Sequence, residues 1–518
     1  MEPIEWDDVQ GLLLSGYPEL KFSAYVVWRF RPDRIGAARR WLADIAGRLM
    51  RAAPGHHQGA HQADAVCRNI QSLKAVDPCH RHAVNLALTA DGLRRLRLDE
   101  HRLSEFALEF LEGMAPRPSA AAAGARRSNL LGDTGDSAPG LWDWGGTAGV
   151  DGMLLLYAAD APGLQALIDV EVDAMSGACE VVTSAGRDKG RPVIIKGRLY
   201  DDMKEHFGFR DGVSQPMIAH SPKADRDEQR FAAATDDTAP MPGRRDRRIS
   251  LVKTGEFVLG YENERRERIR SAFAGDNPGA CDLMRNGTYL VFRQLEQDVA
   301  AFDAFAALMA KQLYGVVDRT TTERAAARLI GRNQDGDPLI SPSADSPKSP
   351  VRNDFLYSFE DGAGMACPIG SHIRRANPRD VLGPDPDTAL RLSKMHRIIR
   401  RGRPYGPRRS DDGGRSSDGS ESRGIAFIAL NADIAGQFEM IQNSWLNNPS
   451  FGGLQGCTDP IGHVAPAGDT FVVQRRPSNL HVGKPRPFVT VRGGAYFFLP
   501  GIKATRVIAD AAVAADPA

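Results

Sequence analysis

The segment KEHFGFRDGVSQP, Lys204 to Pro216, places a single carboxylate between glycines. Asp211 directly follows Arg210, and Gly208 and Gly212 flank the pair. Glycine permits tight backbone in which neighbouring side chains do not crowd a functional group. A carboxylate beside a guanidinium in such a turn could transfer a proton. Taken alone, the segment is better explained as an Asp-Gly turn without chemistry, so its meaning depends on what else the chain supplies.

The segment CPIGSHIRRANPRD, residues 367–380, joins one histidine to three arginines. His372 is followed by Arg374, Arg375 and Arg379. An imidazole can ligate a metal or a haem iron, and guanidinium groups suit the two carboxylates at a haem edge. Three cations this close together are costly without an anion to balance them. The alternative for His372 is a structural role with no ligand.

A second basic cluster, HRIIRRGRPYG, occupies residues 396–406 and ends in a Pro-Tyr-Gly turn. Arg400 or Arg401 could present a cation to a site, and a solvated loop or a polyanion site explains the cluster as well. The sequence contains no CxxCH motif for covalent haem and no phosphate-cradling glycine loop.

Four segments that share one plan must position these side chains. Each has an apolar run of strand length, a polar or acidic turn, and then apolar residues at helical spacing. Acidic residues in the turns suit helix starts through capping and the helix dipole. The segments begin at Phe22, Gly152, Gly287 and Gly424, and their turns contain Asp33, Asp160, Glu296 with Asp298, and Asp433.

Two β–α units with further strands make one split βαβ, ferredoxin-like domain, so four units predict two such domains in tandem and an α+β fold class. A doubly wound α/β sheet is the alternative. The predicted bounds are 1–220 for the N-terminal domain, 221–248 for a polar connection, and 249–518 for the C-terminal domain. Three other polar segments, 117–129, 333–353 and 408–423, are predicted to be surface loops.

The composition of the 518-residue chain is that of a globular protein, with 42% hydrophobic and 25% charged residues. A net charge of +1 argues against a dedicated nucleic-acid binder. No apolar run approaches the roughly 18 residues of a membrane span, and the N-terminus lacks an export pattern. Six scattered cysteines without a CxxC pair fit reduced thiols. We therefore expect a cytoplasmic protein with neither a membrane nor a nucleic-acid partner.

Together the segments resemble those of dye-decolorizing peroxidases, haem peroxidases with two ferredoxin-like domains of the dimeric α+β barrel type. GFRDG, with Gly208, Asp211 and Gly212, matches the family's GxxDG motif, and His372 and Arg400 follow in the expected order. The chain resembles the longer, elaborated branch of the family. Further similarity begins at Asp8 (DVQGLLLSGYPEL), Leu130 (LLGDTG) and Ala432 (ADIAGQFEMIQNSWLNNPSFGG).

This resemblance implies a site as well as a fold. His372 would be the axial ligand to the iron of haem b, bound non-covalently with one haem per chain. Asp211 and Arg400 would stand on the distal face. The other haem-binding residues would be Arg379 and Arg375, paired with propionates, and Asp433, accepting the second N–H of His372.

The implied activity is that of a haem-dependent peroxidase. It would reduce hydrogen peroxide through a ferryl intermediate and oxidise dyes, phenols or similar one-electron donors, with Tyr405 or Trp445 as candidate electron relays. A homo-oligomer and an encapsulating shell are left open. Two other classes also stay open: a haem-handling protein that releases iron or stores haem in the same pocket, and a non-enzymatic polyanion-binding scaffold.

Overall fold

The computed structural model describes residues 3–52, 82–116, 121–146, 149–225, 249–269, 271–273, 280–340, 353–408, 422–462, 469–483 and 486–510. The strands are β1 (Phe22–Phe30), β2 (His82–Leu88), β3 (Gly152–Ala158), β4 (Cys179–Val181), β5 (Ile194–Arg198), β6 (Met217–Ile218), β7 (Leu251–Val252), β8 (Thr288–Gln297), β9 (Ile399–Arg400), β10 (Arg403–Tyr405), β11 (Gly424–Asn431), β12 (Thr470–Val473), β13 (Leu480–Gly483) and β14 (Val489–Leu499).

The α-helices are α1 (Ile35–Ala46), α2 (Ala90–Arg95), α3 (Glu100–Leu103), α4 (Leu108–Glu112), α5 (Ala121–Leu131), α6 (Ala161–Met175), α7 (Val299–Tyr314), α8 (Arg319–Ile330), α9 (Tyr357–Glu360), α10 (His372–Ala376), α11 (Pro386–Lys394) and α12 (Ile502–Asp510). A π-helix spans Ala435–Leu446, and short 3-10 helices span Gly11–Leu13, Gly135–Ser137, Pro139–Leu141, Thr254–Glu256 and Phe451–Gly453. Within these ranges no single helix is long and apolar enough to cross a membrane, although α7 and α8, bent by 103°, would meet the length and composition together.

Eight antiparallel strands close into a ring. The N-terminal half contributes the order β5–β1–β3–β2, and the C-terminal half contributes β14–β8–β11–β10. Numbered within each half, both orders read fourth, first, third, second, which is the ferredoxin-like arrangement. The halves meet where Tyr405 of β10 pairs with Gly197 of β5, and where Phe498 of β14 pairs with Leu88 of β2. The predicted α+β fold class is therefore confirmed.

The predicted domain bounds remain a prediction. The ring strands of the first half all precede residue 220, and those of the second half all follow residue 249. Most of the predicted connection, residues 226–248, lies outside the described residues.

Each of the four predicted β–α units is present. In three of them an acidic side chain caps the helix by accepting a backbone N–H, as expected of short polar residues at a helix start. The first unit differs, since no side chain caps α1, and Asp33 instead lies 3.4 Å from Arg34. The caps are Asp160 to Gly163 N at 2.7 Å, Asp298 to Ala301 N at 2.8 Å, and Asp433 to Gly436 N at 2.8 Å.

Alternate residues along the ring strands face opposite sides of the sheet. Residues such as Tyr25, Leu155 and Phe292 fill the inside of the ring. The outer face of the N-terminal half is covered by α1 and α6, with Trp28 and Trp41 packed edge to face at 5.2 Å. The outer face of the C-terminal half is only partly covered, so a cavity remains between its sheet and the surrounding helices.

One of the predicted surface loops is wrong. Within segment 117–129, helix α5 begins at Ala121, and Arg127 is buried rather than solvated. Its guanidinium donates to Glu439 Oε1 at 2.7 Å and also pairs with Glu112. The alanine-rich composition favours a helix, and these ion pairs fix it against the π-helix. Residues 341–352 and 409–421 of the other two predicted loops lie outside the described part of the chain.

Candidate active site

The cavity on the outer face of the C-terminal half has a volume of about 280 Å³. Its base is formed by side chains of β8, β11 and β14, among them Leu295, Phe427 and Val491. The remaining walls come from the Asp211 segment, from α8 to α10 and from the π-helix. Four of the predicted site residues line this cavity, namely Asp211, His372, Arg379 and Arg400.

His372, the first residue of α10, is held by a buried carboxylate. Its Nδ1 lies 3.0 Å from Asp459 Oδ1 and 3.1 Å from Oδ2. Asp459 is fully buried, whereas 32% of the His372 side chain is accessible, on the cavity side. Because the carboxylate can only accept, Nδ1 is the donor, and Nε2 is left free to ligate a metal.

Charge and hydrogen bonding oppose the effect of burial on the pKa of both groups in this pair. Burial alone would raise the pKa of Asp459, but His372 and the amide of Gly462 outweigh it and hold the pKa at about 2. Burial would lower the pKa of His372, and the Asp459 carboxylate raises it instead. The chain therefore supplies an imidazole with an anionic partner, the arrangement that orients a ligand and strengthens its donation to a metal.

Asp433 is not the partner of His372, so that prediction is wrong. Its carboxylate caps the π-helix through Gly436 N and lies 3.5 Å from Arg265 Nη1. The Asp433 carboxylate therefore has the helix-capping role that was also expected from the sequence, and its contacts are with Gly436 and Arg265, not with His372. The partner that sequence reasoning missed, Asp459, stands in a DPIG turn in which Oδ1 accepts the amides of Ile461 and Gly462. The sequence signal that could have identified Asp459 is the DPIG motif itself, because Asp, Pro and Gly are typical turn residues and an Asp side chain accepts backbone N–H groups two or three residues later.

Asp211 and Arg400 form a charge pair within the cavity. Arg400 Nη2 lies 3.2 Å from Asp211 Oδ1, although the two residues are 189 positions apart in the chain. Gly212, with φ of +77°, turns the backbone directly after the aspartate, and its N–H donates to Asp211 Oδ1 at 2.6 Å. Of the two candidate arginines, Arg400 lines the cavity, whereas Arg401 donates to the carbonyls of Leu12 and Leu13 at 2.8 and 2.7 Å.

Arg375 does not belong to the cavity, so its predicted role towards a propionate is wrong. It is fully buried and donates to the backbone carbonyls of Trp445, Asn448 and Cys457. These bonds tie α10 to the end of the π-helix and to the Cys457 loop. Arg375 thus fixes the helix that carries His372, because its terminal nitrogens bind three backbone carbonyls and it is not among the residues that line the cavity.

Arg379 lines the cavity beside a second arginine that sequence reasoning missed. Both Arg379 and Arg332 donate to Asn353 Oδ1, at 2.7 and 3.0 Å. Burial lowers the pKa of Arg332 to about 10, and repulsion from Arg379 acts in the same direction. Two guanidinium groups so close together make this end of the cavity attractive to an anion. Arg332 follows Gly331, which ends α8 with φ of +101°.

His396 and Glu205 also line the cavity. His396 is a second histidine, and its Nδ1 donates to Gly436 O at 2.5 Å. Burial lowers the pKa of His396. Glu205 accepts the amides of Phe207 and Phe209 at 2.9 and 3.0 Å, and burial raises its pKa to about 6.

No model of a protein family matches the sequence. Single relatives do match it. A multifunctional dye peroxidase of Amycolatopsis sp. is 32% identical over 378 residues, which is 70% of this chain and 73% of the relative. The chain belongs to the dye-decolorizing peroxidase family. Fungal members also match it, among them a dye-decolorizing peroxidase of Mycetinis scorodonius that is 28% identical over 450 residues, covering 82% of this chain and 76% of the relative.

Solved structures of dye-decolorizing peroxidases share the fold. A DyP-type peroxidase of Anabaena sp. superposes with a TM-score of 0.72 at 22% identity, over 97% of this chain and 94% of the other. An ancestral D-type dye-decolorizing peroxidase gives 0.70 at 24% identity, over 98% and 99%. These likenesses confirm the ferredoxin-like α+β fold predicted from the sequence.

Dye-decolorizing peroxidases are haem enzymes that act on hydrogen peroxide, and the residues of this chain fit a haem. A haem requires an axial ligand, apolar surfaces for the ring and cations for its two carboxylates. The cavity supplies the imidazole of His372, and Arg332 with Arg379 provides the cations. Apolar side chains complete the lining, including Ile330, Ile373, Ile398, Phe438, Ile441 and Leu446.

Proposed function

We propose that the chain reduces hydrogen peroxide with a non-covalently bound haem b, and oxidises dyes, phenols or similar organic donors one electron at a time. His372 would be the axial ligand, and Asp211 and Arg400 would act on peroxide. The observation that carries this proposal is that one cavity is lined both by an imidazole whose Nδ1 is taken by Asp459 and by the Asp211–Arg400 pair.

Bound haem would supply the iron at which the oxygen–oxygen bond is broken and the oxidising equivalents that the donors then consume. The protein's task is to move one proton between the two peroxide oxygens. Asp211 can accept the proton from the first oxygen and return it to the second, so that water leaves. Arg400, 3.2 Å from that carboxylate, stabilises negative charge on the departing oxygen and keeps the carboxylate oriented.

Arg332 and Arg379 would hold the haem carboxylates, because both line the cavity and share Asn353 as an acceptor. Of the predicted electron relays, Trp445 stands edge to face with His396 at 5.2 Å between ring centres, and His396 lines the cavity. Tyr405 in β10 and Trp445 are both buried. The contact with His396 favours Trp445 as the residue through which an electron would reach the cavity.

A haem-handling protein remains the second candidate, since the same cavity and the same histidine would serve it. Absorption spectra and product analysis distinguish the two. For a peroxidase, the purified protein shows a Soret band and bleaches an anthraquinone dye only when peroxide is added, and the haem is recovered intact. Recovery of iron-free porphyrin without dye oxidation would identify a haem-handling protein instead. Salt-sensitive binding to nucleic acid without haem absorbance would support the scaffold.

A further inference from the structure

We propose that Gln215 is a positioning residue that sets the separation of Asp211 and Arg400, an inference that rests on the proposed peroxidase function. The side-chain amide of Gln215 binds both backbone polar groups of Arg400. Its Oε1 accepts the N–H of Arg400 at 3.0 Å, and its Nε2 donates to the Arg400 carbonyl at 3.1 Å.

The reason for this clamp lies in the pairing of β9. Arg400 stands opposite Ala429 of β11, and the next residue, Arg401, donates its N–H to Ile428 O at 2.9 Å. Alternate residues of an antiparallel strand direct their backbone groups to opposite sides, so those of Arg400 point away from β11. Gln215 takes the place that a neighbouring strand would occupy, and its amide satisfies groups that would otherwise lack a partner in the sheet.

The clamp joins the two segments that carry the charge pair. Gln215 follows Asp211 by four residues, and the N–H of Asp211 is itself bound to Met203 O at 3.0 Å. The ion pair alone is a weak restraint, because 47% of the Asp211 and 31% of the Arg400 side chain are accessible, and exposed pairs contribute little. The distance between carboxylate and guanidinium is therefore set through the backbone, by Gln215.

The chain contains a matched control for a merely structural clamp. Gln10 binds Leu86 of β2 in the same manner, with the N–H of Leu86 donating to Oε1 at 3.0 Å and Nε2 donating to Leu86 O at 2.9 Å. Gln10 is buried and Gln215 is half-buried, and the residue that Gln10 binds, Leu86, does not line the cavity, whereas Arg400 does. Loss of the Gln10 clamp should cost stability without altering the charge pair.

The variant Gln215→Met removes both hydrogen bonds and keeps the length of the side chain. We expect amide exchange in peptides containing residues 399–401 of the haem-free protein to rise about tenfold. In the haem-loaded protein, the bimolecular rate constant with peroxide should fall about 10- to 100-fold, because small misplacements of catalytic groups have effects of this size. Haem affinity should stay within about twofold, since Gln215 is not a haem contact in the proposal.

Gln215→Glu, which retains the acceptor but not the donor, should give intermediate values and serves if Gln215→Met does not fold. Gln10→Met should lower the melting temperature and leave both readouts unchanged. Unchanged exchange at residues 399–401 would overturn the clamp, and faster exchange with a wild-type peroxide rate would overturn the positioning role. If the wild-type protein does not react with peroxide, the proposed function fails, while the exchange comparison still decides whether the clamp exists.

Discussion

Asp459 and His372 form a pair in which the carboxylate is entirely enclosed while the imidazole reaches into the cavity. Nδ1 is 3.0 Å from Oδ1, and the same Oδ1 accepts the amides of Ile461 and Gly462. The carboxylate cannot turn away, so the ring plane of His372 is fixed from the side remote from the cavity. The properties of a bound haem should therefore depend on Asp459.

Asp459→Asn should preserve haem binding but weaken it about 10- to 100-fold, the usual effect of removing such a partner. The imidazole loses anionic character, so the iron reduction potential should rise. Spectroelectrochemical titration and the rate of haem loss measure the two effects. Asp433→Asn is the control, because that carboxylate caps the π-helix instead. A shift of the reduction potential in Asp433→Asn and none in Asp459→Asn would show that Asp433, as first predicted, is the partner of His372.

His372→Ala should abolish the wild-type Soret spectrum, and added imidazole should restore it by occupying the vacated space. His396→Ala is the matched variant, since His396 also lines the cavity and also has its Nδ1 bonded, to Gly436 O. We expect it to retain the axial ligation. If the two variants exchange these phenotypes, His396 is the ligand.

Asp211→Asn should slow the reaction with peroxide by about 100-fold or more while haem stays bound, because the amide cannot accept and return the proton. Stopped-flow absorbance after mixing with peroxide measures this rate. Asp202→Asn provides the control, since Asp202 pairs with Arg408 in another ion pair outside the cavity lining. A wild-type rate for Asp211→Asn would remove the carboxylate from the mechanism.

Arg375→Met and Arg379→Met should differ in their effect on haem affinity. The first leaves three backbone carbonyls without their donor, so the free energy of unfolding of the haem-free protein should fall by about 3 kcal/mol or more. The second removes a donor from the carbonyls of Asn353 and Phe355 and should also cost stability, but it should in addition lower haem affinity, because Arg379 lines the cavity. Denaturant melts of haem-free protein and haem titrations separate the effects. Equal haem affinity in wild type and Arg379→Met would contradict the propionate assignment.

The pH dependence of stability should report on His206, which is buried and donates Nε2–H to Tyr405 O at 2.8 Å. Burial lowers its pKa from 6.5 to about 4. Between these values the unfolded chain binds the proton more tightly, so stability falls as the pH drops from 6.5 to 4 and the loss is complete below that window. The total loss in the free energy of unfolding is on the order of 3 kcal/mol for this pKa shift.

His206→Gln keeps a donor for the Tyr405 carbonyl and removes the titration. The measurement is the difference in unfolding free energy between wild type and variant at each pH. Glu205, whose pKa burial raises to about 6, would give the opposite slope, but it is present in both proteins and cancels in the difference. A difference that stays constant from pH 7 to pH 4 would show that His206 does not titrate as expected.

The periodicity of the sequence was sufficient for the architecture, because apolar runs followed by helices recur four times and split βαβ units have few ways to combine. The ring closure was implied by the family resemblance but could not be derived from the periodicity, since each of its two junctions is a single residue pair between distant strands. Within the site, residue type and order were sufficient to select His372, Asp211, Arg400 and Arg379, which line one cavity, and their roles towards a haem stay predictions.

The sequence did not predict which way the arginine side chains point or which carboxylate binds His372. Arg375 and Arg379 are four residues apart, and both donate to backbone carbonyls, yet Arg375 lies within α10 and outside the cavity, whereas Arg379 lies beyond the end of α10 and lines the cavity. Asp459 lies 87 positions from His372, and that contact is purely tertiary. Asp433 was predicted both to start a helix and to accept from His372. Only the first, local role is present in the structure.

The two halves of the ring repeat one architecture but are packed differently. In the first, Trp28 and Trp41 occupy the outer face, and in the second the corresponding side is hollow. The two halves thus share one strand order but differ in role: the N-terminal half has a filled outer face and contributes Asp211, and the C-terminal half has the cavity that can accept a cofactor. We expect this inequality to limit the chain to a single haem and to make the N-terminal half the more tolerant of surface change.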